Sequence, residues 1–469
     1  GIPNRIFYSF IGDFFFDLGK YLTLIFTFLF SFSLEHYIRN ILKRGYYTML
    51  SLLILAMIIL VLEFGIMYFC FKLYIVQILL IPNFILVYLY SLQKKCKMDF
   101  KIIAFYLPQY HPFKENDLWW GKGFTEWTNV GKAKPLFKGH NQPRVPTELG
   151  YYDLRLPIIR EQQIELAKEA GVTAFCYWHY WFGNGKRLMA NIFDEVLNTG
   201  KPDFPFCLGW ANHSWYAKNW NSDGTSSNNL LIEQTYPGLE DEKMHFDFLL
   251  HAFKDPRYVK IDGSPLLYIF DPVKLPDEYL INFRKWTKEA GFRDLYMVAN
   301  IAHPSVKKED LLAKGYNSVT YQRLGGITNK SLLKIGRAGR GIQKTLNKIR
   351  GFITHTPPYK TDYKKYYPYL VTEEDKQEDV IPTLIPQWDH TPRSGWNGTF
   401  FVNAKPEYFY EHVKSALNAV KNKRNKIIFL KSWNEWGEGN YMEPDIKYGK
   451  GYIVALHKAI DDVKLLKKG

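Results

Sequence analysis

Cysteine is scarce in this chain: Cys70, Cys96, Cys176 and Cys207 are the only four in 469 residues, and no two form a CxxC pair. That scarcity argues against a disulfide-stapled secreted domain and against a structural zinc site, and it fits a reducing compartment. A GxGxxG turn is missing after the first strand-like run, which removes the usual dinucleotide-binding signature. No DxD-type motif marks a metal-bound nucleotide-sugar donor, so no cofactor and no metal are expected. A single short apolar stretch followed by a small-residue cleavage site is also missing, which disfavours a signal peptide. Acidic residues are outnumbered, 46 against 61 basic ones, for a net charge of +15. Such an excess suits phosphate, an anionic membrane or nucleic acid. No nucleic-acid motif accompanies it, and the aromatic residues are not interleaved along a basic strip, so nucleic acid is not an expected partner.

Long apolar runs, by contrast, crowd the first ninety-odd residues. MLSLLILAMIILVLEFGIMYFCF, ending at Phe71, carries one acid, Glu63, and Leu73 to Leu92 carries none. Each is long enough to span a bilayer, and Tyr21 to Leu34 is a third candidate. Arg39, Lys43 and Arg44 precede this hairpin and Lys94, Lys95 and Lys97 follow it, with Lys72 between. Both basic ends are therefore expected in the cytoplasm. The reading is of a transmembrane helical region over residues 1–97, with a catalytic domain over residues 98–469 on the cytoplasmic side. Because Met98 opens directly onto a strand-like run, residues 1–97 are also readable as the tail of a separate protein.

From Met98 onward, short runs rich in β-branched and aromatic residues alternate with helix-like stretches, the pattern of a parallel sheet. Eight are found: KIIAFYLP (101–108), VTAFCYW (172–178), PFCLGWA (205–211), PLLYIFD (265–271), YMVAN (296–300), SVTYQ (318–322), TLIPQWD (383–389) and KIIFLKSWNEW (426–436). RLPIIREQQIELAKEAG (155–171) has helical spacing and ends on a glycine suited to a C-cap, and INFRKWTKEAG repeats the device. Eight strand–helix units predict a (β/α)8 TIM-type barrel rather than an open, doubly wound sheet. Between the sixth and seventh strands a basic insertion, about 323–380, is long for a loop and is expected to form a lid or to contact a membrane or a lipid-linked pyrophosphate.

In such a barrel the site lies at the C-terminal strand ends. The residues clustering there are Tyr106, Tyr110 and His111 after the first strand; Trp178, His179 and Tyr180 after the second; Trp210, Asn212 and His213 after the third. Glu126 and Trp127 occupy the first long loop, and Asp389 and Arg393 follow the seventh strand. Rings stack on sugar faces and Asn or His bonds hydroxyls, so these are expected to bind substrate, with Glu126 equally readable as holding its loop and Asp389 and Arg393 as a structural ion pair. The centre is Trp433-Asn434-Glu435-Trp436-Gly437-Glu438-Gly439, with Asn434 and Trp436 counted among the binding residues. Glu435 and Glu438, three residues apart on a turn, are neighbours. Mutual repulsion in a partly apolar pocket would raise one pKa and make an acid and a base of one residue type, and carboxyls about 5 Å apart suit retention at a sugar carbon.

The runs AFYLPQYHP, WWGKGFTEWTNV, CYWHYWF, GWANHSW, QWDHTPR and SWNEWGEGN, in order from Met98 to the end, together resemble the WbsX-like glycosyltransferases. That family is similar to glycoside hydrolase family 99, the endo-α-mannosidases, which are (β/α)8 barrels with catalytic glutamates in an NEWxEG segment. The resemblance implies that Glu435 assists the sugar 2-hydroxyl as base and Glu438 protonates the leaving oxygen. The 2-hydroxyl then displaces the leaving group through an epoxide-like intermediate, with net retention. Gly437 departs from the endo-mannosidases, which carry His there. IGDFFFDLGKYLTLIFTFLFSF, near the N-terminus, is similar over a short stretch to bacterial oligosaccharide repeat-unit polymerases.

The expected activity is therefore that of a retaining glycosyltransferase of bacterial O-antigen or capsule biosynthesis, acting on an oligosaccharide or lipid-linked glycan at the inner membrane. An endo-α-mannosidase-like hydrolase is the alternative, and a non-catalytic carbohydrate-binding barrel ranks behind both.

Overall fold

The computed structural model describes residues 100–220, 226–325 and 357–465. The chain divides into two units, Gly1–Cys96 and Lys97–Gly469. The expected membrane spans fall in the first and lie outside the described residues. Among the described residues no helix is long and apolar enough to cross a membrane.

The second unit is built on eight parallel strands: β1 (Lys101–Tyr106), β2 (Ala174–Trp181), β3 (Phe206–Trp210), β4 (Ser264–Ile269), β5 (Tyr296–Ile301), β6 (Ser318–Tyr321), β7 (Thr383–Leu384) and β8 (Ile427–Leu430). Their spatial order, β6-β5-β4-β3-β2-β1-β8-β7, is the chain order wrapped round on itself. The last seam, between β6 and β7, is narrow. Val319 N donates to Asp379 O and Ile381 N to Val319 O, each at 2.8 Å, and the Thr320 and Thr383 hydroxyls meet at 2.6 Å. The eight predicted strands coincide with these eight, and the barrel is nearly closed.

Helices α1 (Pro157–Ala170), α2 (Ala190–Thr199), α3 (Leu239–Lys254), α4 (Asp277–Glu289), α5 (Lys308–Lys314), α6 (Pro406–Val420) and α7 (Gly451–Leu465) follow the strands on the outside. Parallel neighbours need such crossovers, and each helix covers a strand face that would otherwise meet water. In α1 the proline sits in the first turn and Gly171, at φ +87°, closes the last. A side chain at Gly171 would also press on Ile460 of α7, 2.7 Å from the added Cβ.

Aromatic rings fill the barrel near its mouth. Phe105 of β1 stacks on Trp178 of β2 at 4.7 Å and on Phe429 of β8 at 5.2 Å, and Tyr268 of β4 meets Phe105 edge-on at 4.8 Å. Gly209 on β3 leaves room for this layer, since a Cβ there would lie 3.3 Å from the Trp178 ring.

Much of the basic insertion, residues 326–356, lies outside the described residues. Its remainder forms short turns packed against α6, with Tyr363, Tyr366, Leu370, Ile385, Trp388 and Phe401 as a second small core. Arg323 is engaged there, its Nη1 2.7 Å from Leu370 O and 2.5 Å from Asp375. A crevice of about 740 Å³ against α6, lined by Tyr369, Glu373, Lys376, Asn418 and Lys423, contains none of the candidate residues.

Candidate active site

Beyond β8 the chain is tied to β1 before it turns. Trp433 N donates to Phe105 O at 2.8 Å, and the Asn434 amide clasps both backbone groups of Leu107, accepting from N at 2.8 Å and donating to O at 3.0 Å. Asn434–Glu435 then pairs antiparallel with Asn440–Tyr441, and Trp436–Glu438 forms one 3-10 turn between them. Gly439, at φ +54°, closes the turn where a Cβ would come within 2.7 Å of Asp389. Glu435 precedes this turn as its N-cap and Glu438 ends it, and the two carboxyl groups come within hydrogen-bonding reach of each other.

Glu435 is buried, and its Oε1 accepts from Trp178 Nε1 at 3.0 Å and from Ser432 Oγ at 3.1 Å. Burial and the adjacent Glu438 carboxylate raise its pKa to about 7, with Lys431 pulling the other way. Glu438 Oε1 accepts from Arg393 Nη1 at 2.6 Å, and its buried Oε2 has no hydrogen-bond partner among the described residues. The Arg393 Nε donates in turn to Glu126 Oε1 at 3.0 Å. Burial opposes the charge of Arg393, but Glu126 and Glu438 outweigh it and hold the guanidinium protonated. His390 Nε2 stands 4.0 Å from Glu438. The Tyr180 hydroxyl, raised by burial, also feels both glutamates and Arg393.

Glu126, Trp178, Tyr180, Arg393, Glu435 and Glu438 are thus brought together. Beneath them Tyr110, Trp127, Asn434 and Trp436 form a supporting layer. Tyr110 OH donates to Asn434 O and accepts from Trp436 N at 3.1 Å, while the Trp127 ring packs on Tyr110 at 4.7 Å and on Trp436 at 5.5 Å.

Other candidates face elsewhere, because successive strand residues point to opposite sides. Tyr106 turns outward to Gln163 of α1, 2.6 Å away. His179 meets His245 of α3 at 2.9 Å, and Trp210 packs against that same imidazole at 4.5 Å. Asn212 clasps Asp271, bonding its N and O at 2.8 Å each. His111 is buried near Asp153 and Arg155, and neither of its ring nitrogens has a partner among the described residues. His213 reaches the mouth only through Phe270, 4.8 Å from its ring, which packs on Trp178. Asp389 braces loops rather than lining the mouth: His140 and Gln142 hold Oδ2 at 2.9 and 2.7 Å, and Thr391 holds Oδ1 at 2.6 Å. Although burial opposes it, His140, Arg144 and Thr391 lower its pKa to about 2.

Two residues went unnoticed in the sequence. Glu443, buried under the site, accepts from Trp436 Nε1 and Gln163 Nε2 at 2.6 Å and from Tyr152 OH at 2.9 Å, and burial raises it to about 7. Its partners are distant in sequence, so no local pattern marks it. Lys431 lies two residues beyond Phe429, and strand alternation alone would have placed it at the mouth.

Among the described residues no cluster of three or more His, Cys, Asp or Glu side chains is arranged to hold a metal ion.

The family described as glycosyltransferase WbsX matches residues 102–456. Two proteins named uncharacterized protein WxcX, from two strains of Xanthomonas campestris pv. campestris, are each 30% identical over 367 residues, covering 76% of this chain and 49% of their own. The chain therefore spans about half the length of these relatives. A GH99 endo-alpha-mannosidase from Bacteroides thetaiotaomicron aligns over 79% of this chain and 99% of its own, at 16% identity and a TM-score of 0.47. A glycoside hydrolase-like protein aligns over 78% and 95%, at 15% identity and a TM-score of 0.46.

Proposed function

The chain belongs to the WbsX glycosyltransferase family, the one its ordered motifs resemble, and from that membership we propose a retaining glycosyltransferase of bacterial surface-polysaccharide biosynthesis. One observation carries the reading: a buried Glu435, raised to about 7, faces Glu438 at the strand-end mouth of a barrel. Such a pair holds a single proton near neutral pH, as an acid–base couple requires.

Burial favours the proton on Glu435, and Arg393 bonds Glu438. A sugar whose 2-hydroxyl donates to Glu435, and whose leaving oxygen accepts from Glu438, selects the other placement of that proton. The 2-hydroxyl proton then passes to Glu435 and O2 bonds C1. The C1–leaving-oxygen bond breaks, and Glu438 protonates the departing oxygen. In the second step an acceptor hydroxyl gives its proton to Glu438 and attacks C1. The C1–O2 bond opens and O2 recovers its proton from Glu435. Two inversions leave the anomer retained. Trp178 orients Glu435, and Tyr180 borders the pair. Substituting water for the acceptor in the second step gives the hydrolase reading, supported by the resemblance of the NEWxEG segment to endo-α-mannosidases.

The acceptor is an oligosaccharide or lipid-linked glycan, and the apolar residues 1–97 would hold the enzyme at the cytoplasmic face of the inner membrane. The test is mass spectrometry and NMR of products from α-mannosyl oligosaccharides and lipid-linked glycans, with Glu435→Gln and Glu438→Gln alongside. A lengthened glycan lost in both variants is expected. A shortened one makes the enzyme a hydrolase, and no glutamate-dependent change leaves only a binding protein.

A further inference from the structure

Lys431 directly follows β8, where Phe429 points into the barrel against Phe105 and Tyr268 at 5.2 and 5.4 Å. Alternation turns Lys431 to that same side, into the mouth. Its ammonium stands 5.4 Å from the Trp388 ring centroid, and its charge acts on Glu435. Yet among the described residues it forms no ion pair and donates no side-chain hydrogen bond. Arg393 is by contrast bonded to two carboxylates. Trp388 also stacks over His390 at 5.9 Å, and His390 stands beside Glu438, so one rim runs from Glu438 through His390 and Trp388 to Lys431. A partly buried cation without a bonded anion keeps much of its desolvation cost, and a ligand supplying that anion recovers it. The Trp388 face holds the ammonium in place meanwhile.

We infer that Lys431 determines specificity for an acidic glycan: the substrate carries a carboxylate or phosphate group that Lys431 binds beside the sugar reacting at Glu435 and Glu438. This rests on the reading of the site as glycan-processing. A neutral glycan would bring Lys431 no anion to bond.

The test is titration calorimetry of the full chain with trigalacturonic acid, its carboxyl-reduced neutral counterpart, and a mannose oligosaccharide bearing a 6-phosphate. Wild type is expected to bind one acidic probe at least roughly tenfold more tightly than the neutral one. K431M should abolish the preference and K431R should keep it. Whichever acidic probe binds identifies the anion as carboxylate or phosphate. Equal affinities in wild type, no binding of either acidic probe, or a preference that survives K431M would each overturn the inference. Product analysis of the same samples with E435Q keeps the two readings apart. Charge preference without glutamate-dependent turnover removes the catalytic reading alone, and turnover without charge preference removes the role of Lys431 alone.

Discussion

The guanidinium of Arg393 bonds the Glu438 carboxylate at 2.6 Å through Nη1, while its Nε is occupied by Glu126 at 3.0 Å. Among the described residues no hydrogen bond joins Glu126 to either glutamate of the pair, and Arg393 links it to Glu438. Lysine is a point charge and cannot bond both carboxylates in that geometry. R393K is accordingly expected to lower kcat by roughly a hundredfold with a smaller change in KM, since misplacing a reacting group by about 1 Å costs that much. E126Q, which still accepts from Nε, should lose less, and steady-state kinetics on any turned-over glycan would rank the two. Equal losses would mean that Glu126 works by its charge rather than by positioning.

Gly437 owes its identity to the same clamp. A Cβ at this position would overlap the Glu126 carboxylate and lie 3.2 Å from Arg393 Nε. G437A should destabilise the chain by on the order of 2 kcal/mol, whereas G437A in an E126A background should cost little, as overlapping groups couple strongly. Chemical denaturation of the four proteins measures this, and additive effects would refute the overlap. A larger side chain at Gly437 could not fit while Glu126 stays where it is.

Activity should fall as pH rises through about 7, the value to which burial and Glu438 raise Glu435. Above it the pair loses its one proton and no acid remains for the leaving oxygen. A pH profile of kcat/KM should show this descending limb in wild type. It should move to lower pH when Trp178 is replaced by Ala, because water entering beside Glu435 lessens the burial.

Stability should separate Glu435 from Glu443. The folded pKa of Glu435 lies above its ordinary 4.5, so the folded chain binds this proton more tightly than the unfolded one. Its ionisation therefore costs stability progressively as pH rises from about 4.5 to about 7, and nothing below that window. E435Q removes that cost while retaining an acceptor for Trp178 and Ser432, and should raise the unfolding temperature at pH 8. E443Q removes a like cost at pH 8, but it turns an amide toward donors from Trp436, Gln163 and Tyr152, and at pH 5, where that cost is largely absent, it should lower the unfolding temperature by an amount worth about 2 kcal/mol. Thermal melts at pH 5 and pH 8 test both signs.

Much of the barrel was legible in the chain. Apolar runs from KIIAFYLP to KIIFLKSW announce strands because a parallel strand covered on both faces must be apolar nearly throughout, and Gly171 announces the end of α1 because a left-handed cap favours glycine. Which strand-end residues reach the mouth was harder to read. Trp178 and Tyr180 point inward, whereas His179 between them meets His245 on α3. Alternation orders such residues in pairs, but the absolute phase depends on neighbouring strands. Asp389 looked like a substrate ligand, and only its contacts with His140 and Gln142, nearly 250 residues away, identify it as a brace.

Sequence alone determined the strand–helix alternation, the family and the two glutamates, because each is written locally: in the spacing of apolar residues and in the short run SWNEWGEG. Tertiary structure decided the rest: that Arg393 joins Glu126 to Glu438, that Glu443 lies beneath the site, and that Lys431, among the described residues, stands at the mouth without a bonded anion. Those relationships depend on distances between strands far apart in the chain and on the burial that strengthens each charge, and neither exists until the barrel closes.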